Sequence, residues 1–139
     1  MLKYVSLDAQ WHSERSDLLD IIESVLSSGN YIGGETVEAF ETRVAKVCGV
    51  QHAVALNSGT DALVCSMHAL GIRPGDEVIT PPNSFIASTA SIVHLGAVPV
   101  FVDVLDDQSI DASLIAKRIT SKTRAIMPVH LTGRMADMQ

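Results

Sequence analysis

The tripeptide Ser58-Gly59-Thr60 has the residue types of a phosphate-binding turn. It follows a short apolar run, residues 53–56, and precedes residues with helical spacing. The first amides of a helix have no internal hydrogen-bond partner, and the helix dipole places partial positive charge at that end. Gly59 lets a ligand approach the backbone closely, and Ser58 and Thr60 add hydroxyl donors. The pattern predicts an anion site, although these residues could also simply cap the helix.

Further polar residues follow other predicted strands. They are Asn83-Ser84, Asp103 and His130, with Phe85 in the first turn of a predicted helix. In a parallel sheet, ligands gather at the carboxyl ends of the strands, which makes all of them candidates. The alternative for each is structural. Phe85 has the spacing of a core residue, Asp103 could satisfy loop amides, and His130 could be a hydrogen-bonded structural histidine.

Composition excludes several function classes. The 139 residues are 47% hydrophobic and 19% charged, which is typical of a folded domain. The net charge of −6 and the lack of any Lys/Arg run argue against general binding to nucleic acid or anionic membranes. No signal core or long apolar run occurs, so we expect a cytoplasmic protein. The histidines show no metal-ligand spacing, and we expect Cys48 and Cys65 to be buried thiols on apolar helix faces.

Hydrophobic periodicity predicts an α/β fold. Two amphipathic helices come first, over residues 13–28 and from Val37 to a stop at Gly49, and helices and strands then alternate. The predicted strands are residues 52–57, 77–80, 98–102 and 125–129, and the predicted helices between them are residues 63–70, 84–95 and 112–119. Near-continuous apolar strands separated by helices indicate a largely parallel sheet in a three-layer arrangement.

We expect two regions, an N-terminal helical segment over residues 1–50 and an α/β domain over residues 51–139. Sheets of this class usually continue beyond four strands. We therefore expect the chain to be an N-terminal piece of a larger protein.

Six blocks of the sequence, in order and with matching spacing, resemble the DegT/DnrJ/EryC1/StrS aminotransferases. They read SGNYIGG at residues 28–34, VEAFE at 37–41, NSGTDAL at 57–63, PGDEVI at 74–79, VPVFVDV at 98–104 and IMPVHL at 126–131. Members of this family are pyridoxal-phosphate enzymes of fold type I, and many aminate keto sugars attached to nucleotides. The resemblance implies an incomplete large domain of that fold, with pyridoxal 5'-phosphate or its pyridoxamine form as cofactor.

The resemblance also assigns roles to single residues. Gly59 and Thr60 match the pair that holds the cofactor phosphate, with Ser58 beside them. Phe85 matches the aromatic residue that stacks on the pyridine ring, which replaces the core position that its spacing indicates. The aspartate that pairs with the ring nitrogen and the Schiff-base lysine would both lie beyond Gln139, so no catalytic residue is assigned within this chain.

Tyr31, Gly33 and Gly34 match a loop that in relatives lies near the dimer interface and the nucleotide-sugar site. The resemblance therefore implies a homodimer in the full-length protein. It implies as partners a nucleotide-sugar substrate and an amino-acid donor such as glutamate, in polysaccharide or related biosynthesis. We expect the chain alone to be inactive.

Three alternatives stay open or are disfavoured on the residues. A dehydratase of deoxysugars would use the same cofactor with a histidine in place of the lysine. A regulatory paralogue would keep the fold and lose the lysine. A dinucleotide-binding domain is disfavoured because no G-x-G-x-x-G turn follows the first predicted strand.

Overall fold

The computed structural model describes residues 4–139. These residues divide into an N-terminal unit that ends at Ala55 and a second unit, Leu56–Gln139. The elements, in chain order, are α1 (Leu7–Ser28), α2 (Glu35–Cys48), α3 (Gly59–Ala69), β1 (Glu77–Thr80), α4 (Ala87–His94), β2 (Val98–Phe101), α5 (Ala112–Ile115) and β3 (Thr123–Ile126), with 3-10 turns at Ala116–Arg118 and Leu131–Gly133. The predicted domain boundary at residue 50 stays a prediction.

The first unit contains both predicted N-terminal helices. α1 begins six residues before the predicted start at residue 13, because residues 7–12 contain neither Gly nor Pro to interrupt it. It ends where Gly29 adopts a left-handed conformation with φ of 72°. α2 ends in the same way at Gly49, as the sequence predicts.

The sheet lies in the second unit and is parallel throughout. β1 is central, in the order β2-β1-β3, and Ile79 stands opposite Val100 on one side and Ile126 on the other. The strand over residues 77–80 is confirmed, as is the α/β class. The last predicted strand begins two residues earlier, at Thr123, and ends at Ile126, and the helix predicted over residues 112–119 is shorter because it tightens into a 3-10 turn after Ile115.

Two hydrophobic cores lie against the sheet, because successive side chains of a strand point to opposite faces. On one face Val78 packs with Met67 of α3 and Ile92 of α4. On the other face Ile79 packs with Val102 and Ile110, and with partly buried residues of α5. Both faces of β1 are therefore covered, as the three-layer prediction requires.

The predicted first strand, residues 52–57, is wrong. No strand is present there, and Val54 and Leu56 are 75% and 45% exposed. The amide of Ala55 donates to the Glu41 carboxylate at 2.7 Å instead of joining a ladder. A strand requires a neighbouring strand to pair its backbone groups, and none of residues 4–139 supplies one here.

The prediction of buried thiols is also wrong, because Cys48 and Cys65 are both exposed. Each cysteine lies on a helix beside apolar residues in the sequence, yet neither is among the buried residues. Hydrophobic neighbours identify an apolar helix and do not determine which face each residue occupies.

An acidic turn follows β2 and contains a carboxylate that local donors stabilise. The Ser109 hydroxyl and amide donate to one Asp107 oxygen at 2.5 and 2.9 Å. The Ser109 hydroxyl and then its amide hold the pKa of Asp107 below its usual range; burial opposes them, and the nearby Arg134 guanidinium lowers the pKa by less than either hydrogen bond. The charged form of Asp107 therefore favours the folded state.

Replacing the central core residue of α4 tests the packing. Ile92 is fully buried, so Ile92→Ala should lower the free energy of unfolding by about 2–5 kcal/mol through lost burial and a residual cavity. Val93, its neighbour on the same helix, is 57% exposed, and Val93→Ala should change it by no more than about 0.5 kcal/mol. Urea unfolding measures both. Equal losses would contradict the assignment of Ile92 to the core.

The Asp107 turn predicts a specific pH dependence. Since the folded-state pKa is depressed, the stabilisation is complete above the ordinary aspartate pKa of about 3.9 and disappears as the pH falls through the lower folded-state value. The difference in urea midpoint between the native chain and Asp107→Asn should therefore shrink on acidification. Asp106→Asn is the control, because Asp106 accepts neither Ser109 hydrogen bond. A difference that stays constant from neutral to acidic pH would refute this role.

Candidate functional site

The first candidate residues lie at the N-terminus of α3. Ser58 has extended backbone angles and caps the helix, its hydroxyl accepting the amide of Asp61 at 3.1 Å. Its carbonyl accepts the amide of Ala62 at 3.0 Å. The capping interpretation of Ser58 is confirmed. Sequence reasoning did not single out Asp61, although the Ser-x-x-Asp spacing of a capping box could have identified it.

Capping leaves two amides of this helix end free. The amides of Gly59 and Thr60 have no hydrogen-bond acceptor within residues 4–139, and Ser58, Gly59 and Thr60 are all exposed. The helix dipole adds partial positive charge at the same place. This donor set fits an anion such as a phosphate group.

Gly59 has no structural requirement to be glycine. Its φ lies outside the left-handed region, and a Cβ added to it would meet no atom within 4 Å. A Cβ at this position would therefore cause neither backbone strain nor a clash with residues 4–139. Close approach of a ligand to the backbone is one physical reason for a glycine at such a position.

Phe85 lies in the turn that leads into α4, and it is 76% exposed. The core position indicated by its spacing is therefore wrong. The turn itself is held by the Ser88 amide, which donates to the Phe85 carbonyl at 3.1 Å, and by a 2.7 Å hydrogen bond between the hydroxyls of Ser84 and Ser88. An exposed ring on a fixed turn is available to a flat ligand.

The other polar candidates make local structural hydrogen bonds. Asp103 accepts the amide of Val104 at 2.8 Å, and His130 accepts the amide of Ala136 through Nδ1 at 3.1 Å. Asn83 donates to the side chain of Gln108 at 3.3 Å. The structural interpretations of Asp103 and His130 are confirmed. These contacts leave the α3 N-terminus and Phe85 as the strongest site candidates of the second unit.

The loop with Gly33 and Gly34 belongs to the N-terminal unit. Both glycines have positive φ, 64° and 78°, and both line a groove of about 460 Å³ between the end of α1 and the start of α2. Tyr31 does not line this groove; its hydroxyl donates to the Leu26 carbonyl at 3.0 Å and ties the loop to α1.

Residues 4–139 contain neither a cluster suited to a metal ion nor a helix suited to crossing a membrane. No group of three or more His, Cys, Asp or Glu side chains in this range could hold a metal ion. Within the same residues no helix is long and apolar enough to cross a membrane.

Known aminotransferases resemble this chain in both sequence and structure. A curated relative, the dTDP-3-amino-3,4,6-trideoxy-alpha-D-glucose transaminase of Streptomyces venezuelae, is 43% identical over 136 residues, which are 97% of this chain and 36% of the relative. The crystal structure of DesV from S. venezuelae, in complex with a ketimine intermediate, superimposes with a TM-score of 0.95 at 43% identity, covering 99% of this chain and 37% of that one.

A second solved structure contains the cofactor. NtdA from Bacillus subtilis, with bound cofactor PMP, is 38% identical with a TM-score of 0.88, and the match covers 91% of this chain and 29% of NtdA. The chain thus spans about a third of the length of the relatives that it matches. Its fold is part of the fold of these aminotransferases. The sequence model of one family matches residues 12–139, and the chain belongs to that family, the DegT/DnrJ/EryC1/StrS aminotransferases.

Proposed function

We propose that this chain provides the phosphate-binding turn and the ring-stacking side chain of a pyridoxal-phosphate-dependent sugar aminotransferase. The observation that carries the proposal is the pair of free amides, Gly59 and Thr60, at an exposed helix N-terminus in a chain of this family. The substrate class that we propose is a nucleotide-linked keto sugar, with an amino acid such as glutamate as donor.

In this proposal the residues of this chain bind the cofactor phosphate and orient the pyridine ring. The amides of Gly59 and Thr60, with the Thr60 hydroxyl, would donate to the phosphate oxygens, and the dipole of α3 would favour the dianion. Phe85 would hold one face of the pyridine ring. When bound, pyridoxal phosphate supplies the ring that accepts electron density and carries the amino group between donor and acceptor.

The groove beside Gly33 and Gly34 is our candidate for the nucleotide-sugar contact and for part of a homodimer interface. Its support is the resemblance of this loop together with the groove that the two glycines line. Tyr31 would act through the loop by fixing its conformation, because its hydroxyl is already bonded to α1.

The dehydratase and regulatory alternatives share every residue proposed above. They differ at the Schiff-base lysine, which the family resemblance implies lies beyond Gln139: the dehydratase would have a histidine there, and the regulatory paralogue would have lost the lysine. The four lysines of this chain are Lys3, Lys46, Lys117 and Lys122. We propose that none of them carries the cofactor covalently.

Cofactor binding by the chain itself tests the phosphate turn. Pyridoxamine 5'-phosphate should bind more tightly than pyridoxamine, measured by titration calorimetry. Thr60→Val removes one charge-assisted hydrogen bond and should weaken binding about tenfold or more. Phe85→Leu removes ring stacking and should weaken binding about threefold to tenfold.

Phe40→Leu is the matched control for the ring, since Phe40 is also exposed, at 58%, but lies on α2 of the other unit. It should leave the affinity unchanged. If pyridoxamine 5'-phosphate and pyridoxamine bound with equal affinity, the proposed phosphate-binding role of Gly59 and Thr60 would be wrong, regardless of the results for the variants.

A chimera tests amino transfer. The matched third of the S. venezuelae transaminase would be replaced by this chain, and the product assayed with that enzyme's own substrates. We expect the chimera to transfer amino groups and the chain alone to transfer none. At limiting cofactor, Thr60→Val should lower the rate of transfer by the chimera about tenfold. Circular dichroism establishes folding. A folded chimera that binds pyridoxamine 5'-phosphate without transferring amino groups would count against the proposal.

A further inference from the structure

Gln108 has a backbone conformation that favours glycine. Its φ is 71°, in the left-handed region, where Gly, Asn and Asp are the usual residues. The turn closes in this conformation, since the Gln108 amide donates to the Leu105 carbonyl at 2.8 Å and the Leu105 amide donates to the Ser109 carbonyl at 2.9 Å. Glycine would suit such a turn better than glutamine. The turn itself therefore gives no reason for a long amide side chain at this position.

The side chain of Gln108 contacts the segment that carries Phe85. Asn83 donates through Nδ2 to Oε1 of Gln108 at 3.3 Å, although the two residues are 25 positions apart in the sequence. Asn83 lies two residues before Phe85, between β1 and α4, and Gln108 follows β2. Because β1 and β2 are parallel neighbours, the bond joins two loops at the same carboxyl edge of the sheet.

The other hydrogen bonds of the Phe85 turn, residues 82–86, are local. Within residues 4–139 they join groups no more than four positions apart, such as the Ser88 amide with the Phe85 carbonyl and the hydroxyls of Ser84 and Ser88. Local bonds set the shape of a turn. The bond from Asn83 to Gln108 adds a restraint from a different loop, and so limits how the Phe85 turn moves relative to the sheet.

We propose that Gln108 is a positioning residue for the ring-stacking side chain of Phe85 and acts through Asn83. Gln108 restrains the turn that carries the exposed Phe85 ring, so less freedom is lost when a flat ligand stacks on that ring. The inference rests on the proposed function of Phe85. The role that we assign to Gln108 involves no contact with the ligand.

Amide hydrogen exchange tests the restraint without a ligand. Gln108→Gly removes the contact with Asn83 and keeps a residue suited to the left-handed conformation. In this variant the Ser88 amide, which bonds to the Phe85 turn, should exchange about threefold faster or more. The Leu95 amide, at the far end of α4, is the internal control and should keep its native rate. Gln108→Glu retains an acceptor oxygen at the same reach and should keep the native rate at Ser88.

Ligand affinity separates ring stacking from phosphate binding. Gln108→Gly should weaken binding of pyridoxamine 5'-phosphate and of pyridoxamine by the same factor, about threefold, because both contain the ring that Phe85 would contact. Thr60→Val should weaken binding of the phosphorylated ligand alone. Asn83→Ala should reproduce the effect of Gln108→Gly, and the double variant should lose no more affinity than either single variant, because both remove the same contact.

The results for Ser88 distinguish this proposal from the cofactor proposal. An unchanged Ser88 exchange rate in Gln108→Gly, or an equal rise at Leu95, would overturn the positioning role whether or not a ligand binds. Additive losses of affinity in the double variant, or a loss confined to the phosphorylated ligand, would also overturn it. If the native chain bound neither ligand, the cofactor proposal would fail, whereas faster exchange at Ser88 alone would support the restraint of the Phe85 turn by Gln108.

Discussion

The structure depends on the burial of one short strand on both of its faces. Val78 and Ile79 are adjacent in β1, are fully buried, and point into different cores. The two flanking strands both hydrogen-bond to β1, so β1 joins the sheet and contributes to both cores of the second unit. Thr80 is also fully buried, and its hydroxyl donates to the Met127 carbonyl at 3.0 Å. The one polar side-chain group buried at the end of this strand therefore has a hydrogen-bond partner.

The two helices that carry the candidate site residues are anchored by packing against this strand. Met67 anchors α3 in the core that contains Val78, and the free amides lie at the other end of the same helix. Ile92 anchors α4 in that core, and the Phe85 turn leads into α4. Neither Gly59 nor Phe85 contributes to the core. The residues that we propose to bind the cofactor are thus separate from the residues that anchor the helices, which lets an exposed donor set coexist with stable packing.

Sequence patterns predicted the parts of the fold that depend on local residues. The strand at residues 77–80 and the stop at Gly49 follow from an apolar run and a left-handed cap, and both are present. Residues 52–57 contain an equally apolar run, but a strand also needs a neighbouring strand to hydrogen-bond with its backbone. No such strand lies beside them within the described residues. Phe85 shows the same limit for burial, because spacing cannot distinguish a ring on the core side from a ring on a turn. The roles of Tyr31, Gly33, Gly34, Gly59 and Thr60 in binding stay predictions.

Gly34 and Gly59 differ in whether the backbone conformation requires a glycine. Gly34 has φ of 78°, a conformation that few other residues adopt without strain, so its backbone alone explains the glycine. Gly59 has ordinary helical geometry and open space where a side chain would stand. In the interior of a helix glycine is unfavourable relative to alanine by roughly 0.5–1 kcal/mol, and even in the first turn it contributes no packing. A glycine that neither its backbone conformation nor packing within residues 4–139 requires, beside two unpaired amides, agrees with the proposed approach of a ligand.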